Sequence, residues 1–243
     1  VKNSIQFVGN TDTLFDENEY FIFFGAGPNR WDRGTGANYT RNMHIYSSVS
    51  TYFIHIDDTD VPLRVQNLPE SPLPSTQTVS SYTYYDIHEN ESSNLVQGGQ
   101  RWYGEQFDAN LSQNFKFTVP NIDVNTPVQV RYAVASNSRD SGNSFRVNYN
   151  GNQINQLPLG STGADYIRNS ANFSFNPVSS SLDLNFTLNR VNASGRGYLD
   201  FIQIVGRRYL VFFGNSMLFR DLNSVGLGNV SQFNISGMSA TNS

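Results

Sequence analysis

The chain has 243 residues, a net charge of −4 and a sequence pI of about 5.3. This acidic balance, without a basic stripe, argues against a nucleic-acid-binding domain. Because the chain contains no cysteine, it cannot supply a disulfide, a Cys-based metal site or a cysteine nucleophile.

The composition favours an all-β fold. The sequence holds 30 Asn and 28 Ser but only two Lys, so turn formers are plentiful and helix formers scarce. Aromatic residues make up 14% of the chain, and aromatics favour strands. No helical pattern of ten residues is present. We find no signal peptide, lipidation motif or apolar run long enough for a membrane span. The chain opens on Val1 and both ends look cut, so we interpret it as a piece of a longer protein.

The first strands are short and apolar. Residues 5–8 predict a strand, and a turn follows at residues 9–12. The continuous apolar run at residues 20–24 predicts a strand covered on both faces. A loop rich in glycine and asparagine carries Trp31, and residues 51–56 predict a further strand by their alternation.

The best internal boundary lies near residue 75. Four prolines occur between residues 57 and 75, and proline cannot donate to a strand ladder. We therefore expect an N-terminal β-rich subregion over residues 1–75. Residues 78–85 predict the strand that follows this connector.

Residues 97–107 combine a glycine pair with a dense aromatic and charged cluster. Arg101, Trp102, Tyr103 and Glu105 lie within a stretch of five residues between Gly99 and Phe107. We predict a structural clasp at the entry to the following domain, with the Trp102 ring buried and Arg101 within reach of Glu105.

From residue 114 the alternation becomes regular. Apolar and polar residues alternate around residues 115–119, 128–134, 145–149, 182–188 and 198–205, and Asn150-Gly151 predicts a hairpin turn. Strands with one apolar and one polar face indicate an antiparallel β-sandwich, jelly-roll-like, over residues 76–213. We expect a last apolar strand at residues 209–213, and a strand or linker over residues 214–243 that leads toward a downstream domain.

The residues that could carry catalysis or bind metal form no complete constellation. Asp57, Asp58 and Asp60 lie close enough in sequence to suggest a calcium site, but the glycine and glutamate of an EF-hand are missing, and we favour a strand end that runs into a solvated acidic turn. No nucleophile elbow and no His-Glu-x-x-His motif occurs. No strand carries the carboxylate pair of a retaining glycosidase. We therefore predict no catalytic residue, no metal and no cofactor in this segment.

The aromatic surplus leaves two interpretations open. Trp31, Tyr39, Trp102 and Tyr103 are the candidates for a ligand or interface surface, since aromatic faces stack on the apolar faces of sugars. The alternative is that these rings fill the core of the sandwich. The position of Trp102, on an open face or buried, distinguishes the two.

Several stretches, in this order, resemble one family. They are an acidic and aromatic strand at residues 15–25, residues 42–53, which look like the Asn-x-Tyr segment of that family, the Trp-Tyr-Gly-Glu-x-Phe element within residues 99–107, and a Tyr-Leu-Asp-Phe-Ile segment at 198–202 followed by Arg-Arg-Tyr-Leu at 207–210. The family is that of the PorU-like, gingipain-type cysteine peptidases, the surface sortases of the type IX secretion system of Bacteroidetes.

The resemblance spans most of the chain and implies a role without catalysis. It falls in the β-rich region that precedes the peptidase domain, so the catalytic Cys and His of the family are not expected here. It implies a domain of a large secreted protein at the extracellular or outer-membrane surface. Its expected partners are the downstream peptidase domain of the same chain and secreted cargo proteins. The alternative is a carbohydrate-binding jelly-roll module, whose partners would be glycans.

Overall fold

The structure, a computed structural model, describes residues 2–10, 12, 14–34, 39–44, 46–56, 59–67, 69–98, 101–161 and 166–238. The chain forms two compact units, the first from residues 1–32 and 40–74 and the second from residues 33–39 and 75–243. The predicted division into residues 1–75, 76–213 and 214–243 stays a prediction.

The first unit contains a ladder of two antiparallel strands, β1 (Ile5–Val8) and β2 (Tyr20–Phe23). Phe7 pairs with Phe21 in this register, and their ring centres lie 5.4 Å apart. The Phe15 ring stacks on Phe21 at 5.5 Å. Two strands alone bury little surface, and such a ladder is marginally stable by itself.

A buried carboxylate closes the connection between β1 and β2. Glu19 is 8% exposed and accepts hydrogen bonds from the backbone N–H groups of Asn10 (2.7 Å) and Asp16 (3.0 Å). These two bonds satisfy both carboxylate oxygens, which makes the burial of the charge tolerable.

A second strand pair joins β3 (Arg30–Arg33) to β4 (Tyr39–Asn42).

Two predictions for the N-terminal region are wrong. Residues 20–23 do form a strand, but Tyr20, Phe21, Ile22 and Phe23 are 37–52% exposed instead of covered on both faces. Among the described strands β2 pairs with β1 alone, and none of its residues belongs to the buried clusters found among the described residues. Residues 51–56 form no strand at all.

The longer segment of the second unit begins with β5 (Gln77–Val79) and β6 (Ser81–Glu89), which are separated at Ser80 where a single strand is predicted. The later strands are these: β7 (Gln106–Phe107), β8 (Ser112–Thr118), β9 (Val128–Ser136), β10 (Ser144–Tyr149), β11 (Asn152–Pro158), β12 (Ile167–Phe175), β13 (Ser181–Asn189), β14 (Gly197–Tyr209) and β15 (Ser231–Phe233). The helical structure in the described residues is one 3₁₀ turn at Leu222–Ser224.

Eight of these strands form an antiparallel sandwich with the topology of a jelly roll. One sheet has the order β12-β9-β14-β6 and the other β11-β10-β13-β8. The first sandwich strand pairs with the last (β6 with β14), the second with the seventh (β8 with β13), the third with the sixth (β9 with β12), and the fourth with the fifth (β10 with β11). This pairing is that of one long ribbon folded over on itself, which confirms the predicted all-β, jelly-roll-like fold.

The core lies between the two sheets, and the alternation of the strands supplies it. Val128, Val130, Tyr132 and Val134 project inward from β9 and are at most 1% exposed. The predicted hairpin turn between β10 and β11 is confirmed, because Asn150 (φ 50°) and Gly151 (φ 77°) both adopt the positive φ of a type I′ turn.

The C-terminal residues fold back on the sandwich strands. β15 runs parallel to β5, and Val211 bridges to Ser236. The predicted strand at residues 209–213 is therefore wrong: Tyr209 ends β14, and the residues after it make an isolated bridge instead of a ladder.

Arg207 on β14 fixes this C-terminal segment electrostatically. Its guanidinium group donates to the carboxylate of Asp221, to the Ser81 hydroxyl (2.7 Å) and to the Thr83 hydroxyl (3.2 Å). Asp221 is 7% exposed, so the ion pair carries a buried charge that needs its partner.

Candidate functional site

The residues from Tyr103 to Phe107 continue the line of β6 along β14. Gly104 N–H donates to the Leu199 carbonyl (2.7 Å) and Leu199 N–H donates to the Glu105 carbonyl (2.9 Å). A Cβ at position 104 would lie only 2.9 Å from the carbonyl oxygen of Asn90, just past the end of β6. Glycine is needed here because the two backbones meet end to end.

Tyr103 anchors this segment on the outer face of the β12-β9-β14-β6 sheet. Its side chain is 8% exposed and packs with Ala135 and Tyr198, and Tyr166 lies at the edge of the same cluster. Burial raises the pKa of the Tyr103 hydroxyl and the nearby Asp200 carboxylate raises it further, while two nearby arginines lower it. The phenol therefore stays neutral at physiological pH.

Glu105 and His88 form a polar contact behind this cluster. His88 Nε2 lies 2.9 Å from Glu105 Oε1, and the imidazole packs against the Phe115 ring at 4.9 Å. Burial raises the pKa of the Glu105 carboxyl, but hydrogen bonds from His88, a backbone N–H and Asn90, with the charge of His88, outweigh it and lower the pKa below 4.5. The carboxylate is thus ionised and tied to the edge of the sandwich.

A cationic pair flanks an aromatic ring on the same outer face. Arg168 Nε donates to Asp200 Oδ2 at 2.7 Å, and Asp200 is 8% exposed. The guanidinium carbons of Arg168 and Arg131 lie 5.9 and 5.6 Å from the centre of the Phe201 ring. Both arginines are within the range of a cation–π contact.

The four aromatics predicted from the sequence lie in different environments. Trp31 is half-buried on β3, with the Arg41 guanidinium carbon 5.8 Å from its ring. Tyr39 is buried, its ring 4.7 Å from that of Tyr85, and its carbonyl accepts a hydrogen bond from Gln203. A role for these four residues in ligand or partner binding stays a prediction.

The predicted structural clasp stays a prediction, but its two expected details, a buried Trp102 ring and an Arg101–Glu105 pair, are wrong. Trp102 is 43% exposed and its neighbour Tyr103 is buried instead. Tyr103 forms an isolated bridge with Ser93, and its ring packs with Ala135 and Tyr198. Among the described residues Glu105 pairs with His88, and Arg101 is one of the two arginines that lower the pKa of the Tyr103 hydroxyl.

The sequence reasoning missed Arg131 and Arg168. Each stands at a solvent-side position of an alternating strand, where a charged residue is ordinary. Only the pairing of β9 with both β12 and β14 brings them to one ring. The bulge at Asp200 on β14 aims its carboxylate at Arg168.

No metal centre emerges in the part of the chain that the structure describes. No group of three or more His, Asp or Glu side chains there has the arrangement of a metal site. Asp57 and Asp58 of the suggested calcium site lie outside the described residues, and Asp60 forms an ion pair with Lys2. Among the described residues, no helix is long and apolar enough to span a membrane.

Sequence comparison gives no relatives, since no protein-family profile and no curated protein matches the chain. Comparison with solved structures finds proteins of similar fold. The crystal structure of dimeric latent PorU from Porphyromonas gingivalis matches with a TM-score of 0.68 and 17% identity, over 96% of this chain and 22% of that one. The chain therefore has a PorU-like fold and spans about a fifth of the length of that protein.

Two carbohydrate-binding modules share a weaker likeness. The CBM36-1 domain of a multidomain xylanase from the hindgut metagenome of Trinervitermes trinervoides matches half of the chain, with a TM-score of 0.34 and 10% identity, over 96% of the module. A CBM36 module in complex with calcium and xylotriose matches 52% of the chain, with a TM-score of 0.33 and 12% identity, over 99% of the module.

Proposed function

We propose that the chain is a non-catalytic β-sandwich domain of a large secreted cell-surface protein, similar to the type IX secretion sortases. In this proposal it supports a downstream cysteine peptidase domain or takes part in cargo interaction. The observation that carries it is the PorU-like fold over 96% of the chain, together with the ordered sequence motifs.

The surface of the first unit supports a role in docking. Phe24, Phe53 and Ile56 are 72%, 91% and 91% exposed. Exposed apolar side chains of this size can be covered by another domain or protein. A peptidase domain of the same polypeptide is the partner that the proposal assigns to them.

Comparison of this chain with the full-length gene product tests the proposal. We expect amide hydrogen exchange of residues 20–24 to slow in the full-length product. We also expect peptidase activity in the full-length product and none in this chain. Cleavage of peptides by this chain alone, or a full-length product without a Cys–His peptidase domain, would contradict the proposal.

One observation favours the second candidate function, a carbohydrate-binding module. The Trp102 indole is 43% exposed, which leaves a ring surface open for stacking on a sugar. A glycan array tests this candidate. Micromolar binding that Trp102→Ala abolishes, with an unchanged melting temperature, would support it, and an array without hits would remove it.

A further inference from the structure

Strand β12 is the edge of its sheet. The described strands end there, in the order β12-β9-β14-β6. β12 has nine residues, and its register with β9 runs without interruption from Ile167 to Phe175. A free edge of this length is a template for one more strand.

The backbone groups that face the free edge follow from the alternation of β9. Asn137 N–H donates to the Arg196 carbonyl (3.3 Å), so Asn137 is directed toward β14. The backbone groups of successive strand residues point to opposite sides, so those of Val134, three residues before Asn137, point toward β12. Leu199, which stands opposite Val134 on β14, agrees with this, because its N–H donates to the Glu105 carbonyl and not to β9. Asn169, which pairs with Val134, therefore bonds to β9.

The other set of β12 residues is directed outward. Arg168, Ser170, Asn172 and Ser174 present their backbone N–H and C=O groups to the open edge. Their side chains are all exposed on the outer face of the sheet. Edge, side chains and face are thus accessible together.

The charge beside this edge is positive, in a chain whose net charge is −4. Arg168 is balanced by Asp200, whereas Arg131, which stands opposite Asn172 in the ladder, has no ion pair with a described residue. The Arg131 guanidinium thus has no ion pair among the described residues, and Glu89, which stands opposite Phe201 on β6, places a carboxylate on the same face one strand farther from the edge. Guanidinium groups bind carboxylates through paired hydrogen bonds.

We propose that the open edge of β12 binds an extended acidic peptide segment by strand addition, with its carboxylates at Arg131 and Arg168. The backbone ladder supplies affinity, and the two arginines select acidic side chains. A peptide fits better than a glycan, because the guanidinium groups already lie over the Phe201 ring and keep it from stacking on sugar. This inference is independent of the function proposed above.

Fluorescence anisotropy with this chain and two labelled nine-residue peptides tests the inference. One peptide alternates Glu and Thr, and the other has Lys in place of Glu. We expect the Glu peptide to bind at least about tenfold more tightly than the Lys peptide, since carboxylates pair with the arginines. Equal affinity for the two peptides, or no binding of either, would overturn the inference.

Three variants locate the binding site. Arg131→Gln should weaken binding of the Glu peptide by about tenfold. Lys116→Gln, an equal charge change on the exposed outer face of the other sheet, should leave it unchanged. Asn172→Pro should abolish binding while the fold persists, because the N–H that it removes points to solvent.

A direct readout keeps the test decisive if Asn172→Pro unfolds. The Glu peptide should slow amide hydrogen exchange at Ser170 and Asn172 in the unaltered chain. Unchanged exchange at these two amides overturns strand addition. An oligogalacturonate of equal charge serves as competitor, and if it binds as tightly as the peptide without protecting these amides, the arginines recognise anionic glycans and the inference is wrong.

Discussion

Both units contain apolar strands, but the apolar side chains are buried in the sandwich and exposed on β2 of the first unit. In the sandwich, β13 alternates, and Leu182, Leu184 and Phe186 are fully buried. In the first unit, β2 is apolar at every position and remains largely exposed. The buried side chains of β13 lie between two sheets, whereas β2 belongs to a two-stranded ladder. A strand's apolar residues are buried only where a second layer packs on them, whatever their hydrophobicity.

Phe186→Ala should cause the largest loss of stability. The ring is fully buried and makes edge contacts with Tyr132 (5.0 Å) and Phe115 (5.5 Å), one from each sheet. Removing it leaves a cavity between the sheets, so we expect the free energy of unfolding to fall by about 3–5 kcal/mol in urea titration. A loss below about 1 kcal/mol, as at a surface site, would erase the difference between the two units.

Alanine substitutions of the neighbours Tyr103 and Trp102 should lower the free energy of unfolding by less than Phe186→Ala, and by different amounts. Tyr103→Ala empties a buried site and should lower the free energy of unfolding by about 3 kcal/mol. Trp102→Ala removes a larger but half-exposed ring and should cost less than about 1 kcal/mol. Thermal melts of the two variants measure this. The reverse order would restore Trp102 as the buried anchor.

The sandwich could be predicted from the sequence because its pattern is local. The alternation in β9, β10 and β13 and the Asn150-Gly151 turn depend on neighbours along the chain. Strand order and the Arg131–Phe201–Arg168 arrangement depend on pairings between distant residues, which no local pattern encodes. The burial of Tyr103 instead of Trp102 depends on packing against Ala135 and Tyr198, which are distant in sequence.

Glu105 should make the stability of the sandwich sensitive to acid. Its folded-state pKa is lowered below 4.5, so its stabilising contribution is complete above that pH and is lost as the pH falls through the folded-state pKa. Urea unfolding of the unaltered chain and of Glu105→Gln, from pH 7 to pH 3, measures this contribution to the free energy of unfolding. The stability difference between the two should shrink as the pH falls.

A difference between the two curves that stayed constant with pH would show that Glu105 contributes through packing alone. Asp123, whose pKa is also lowered by its hydrogen bonds despite its partial burial, is present in both proteins. Its acid loss therefore cancels in the comparison. The subtraction isolates the carboxylate that contacts His88 at the edge of the sandwich.

Ile22→Lys in the first unit should have the smallest effect. The side chain is 47% exposed on β2, so a charge there remains solvated and the free energy of unfolding should change by less than about 0.5 kcal/mol. The same variant should reduce binding of a hydrophobic dye such as ANS, because it interrupts the apolar surface. Destabilisation comparable to that of Phe186→Ala would mean that β2 is a core strand, and the contrast between the two units would disappear. In a longer protein that covers β2, the substitution would instead act at the covered interface, since a lysine is costly to bury without a partner.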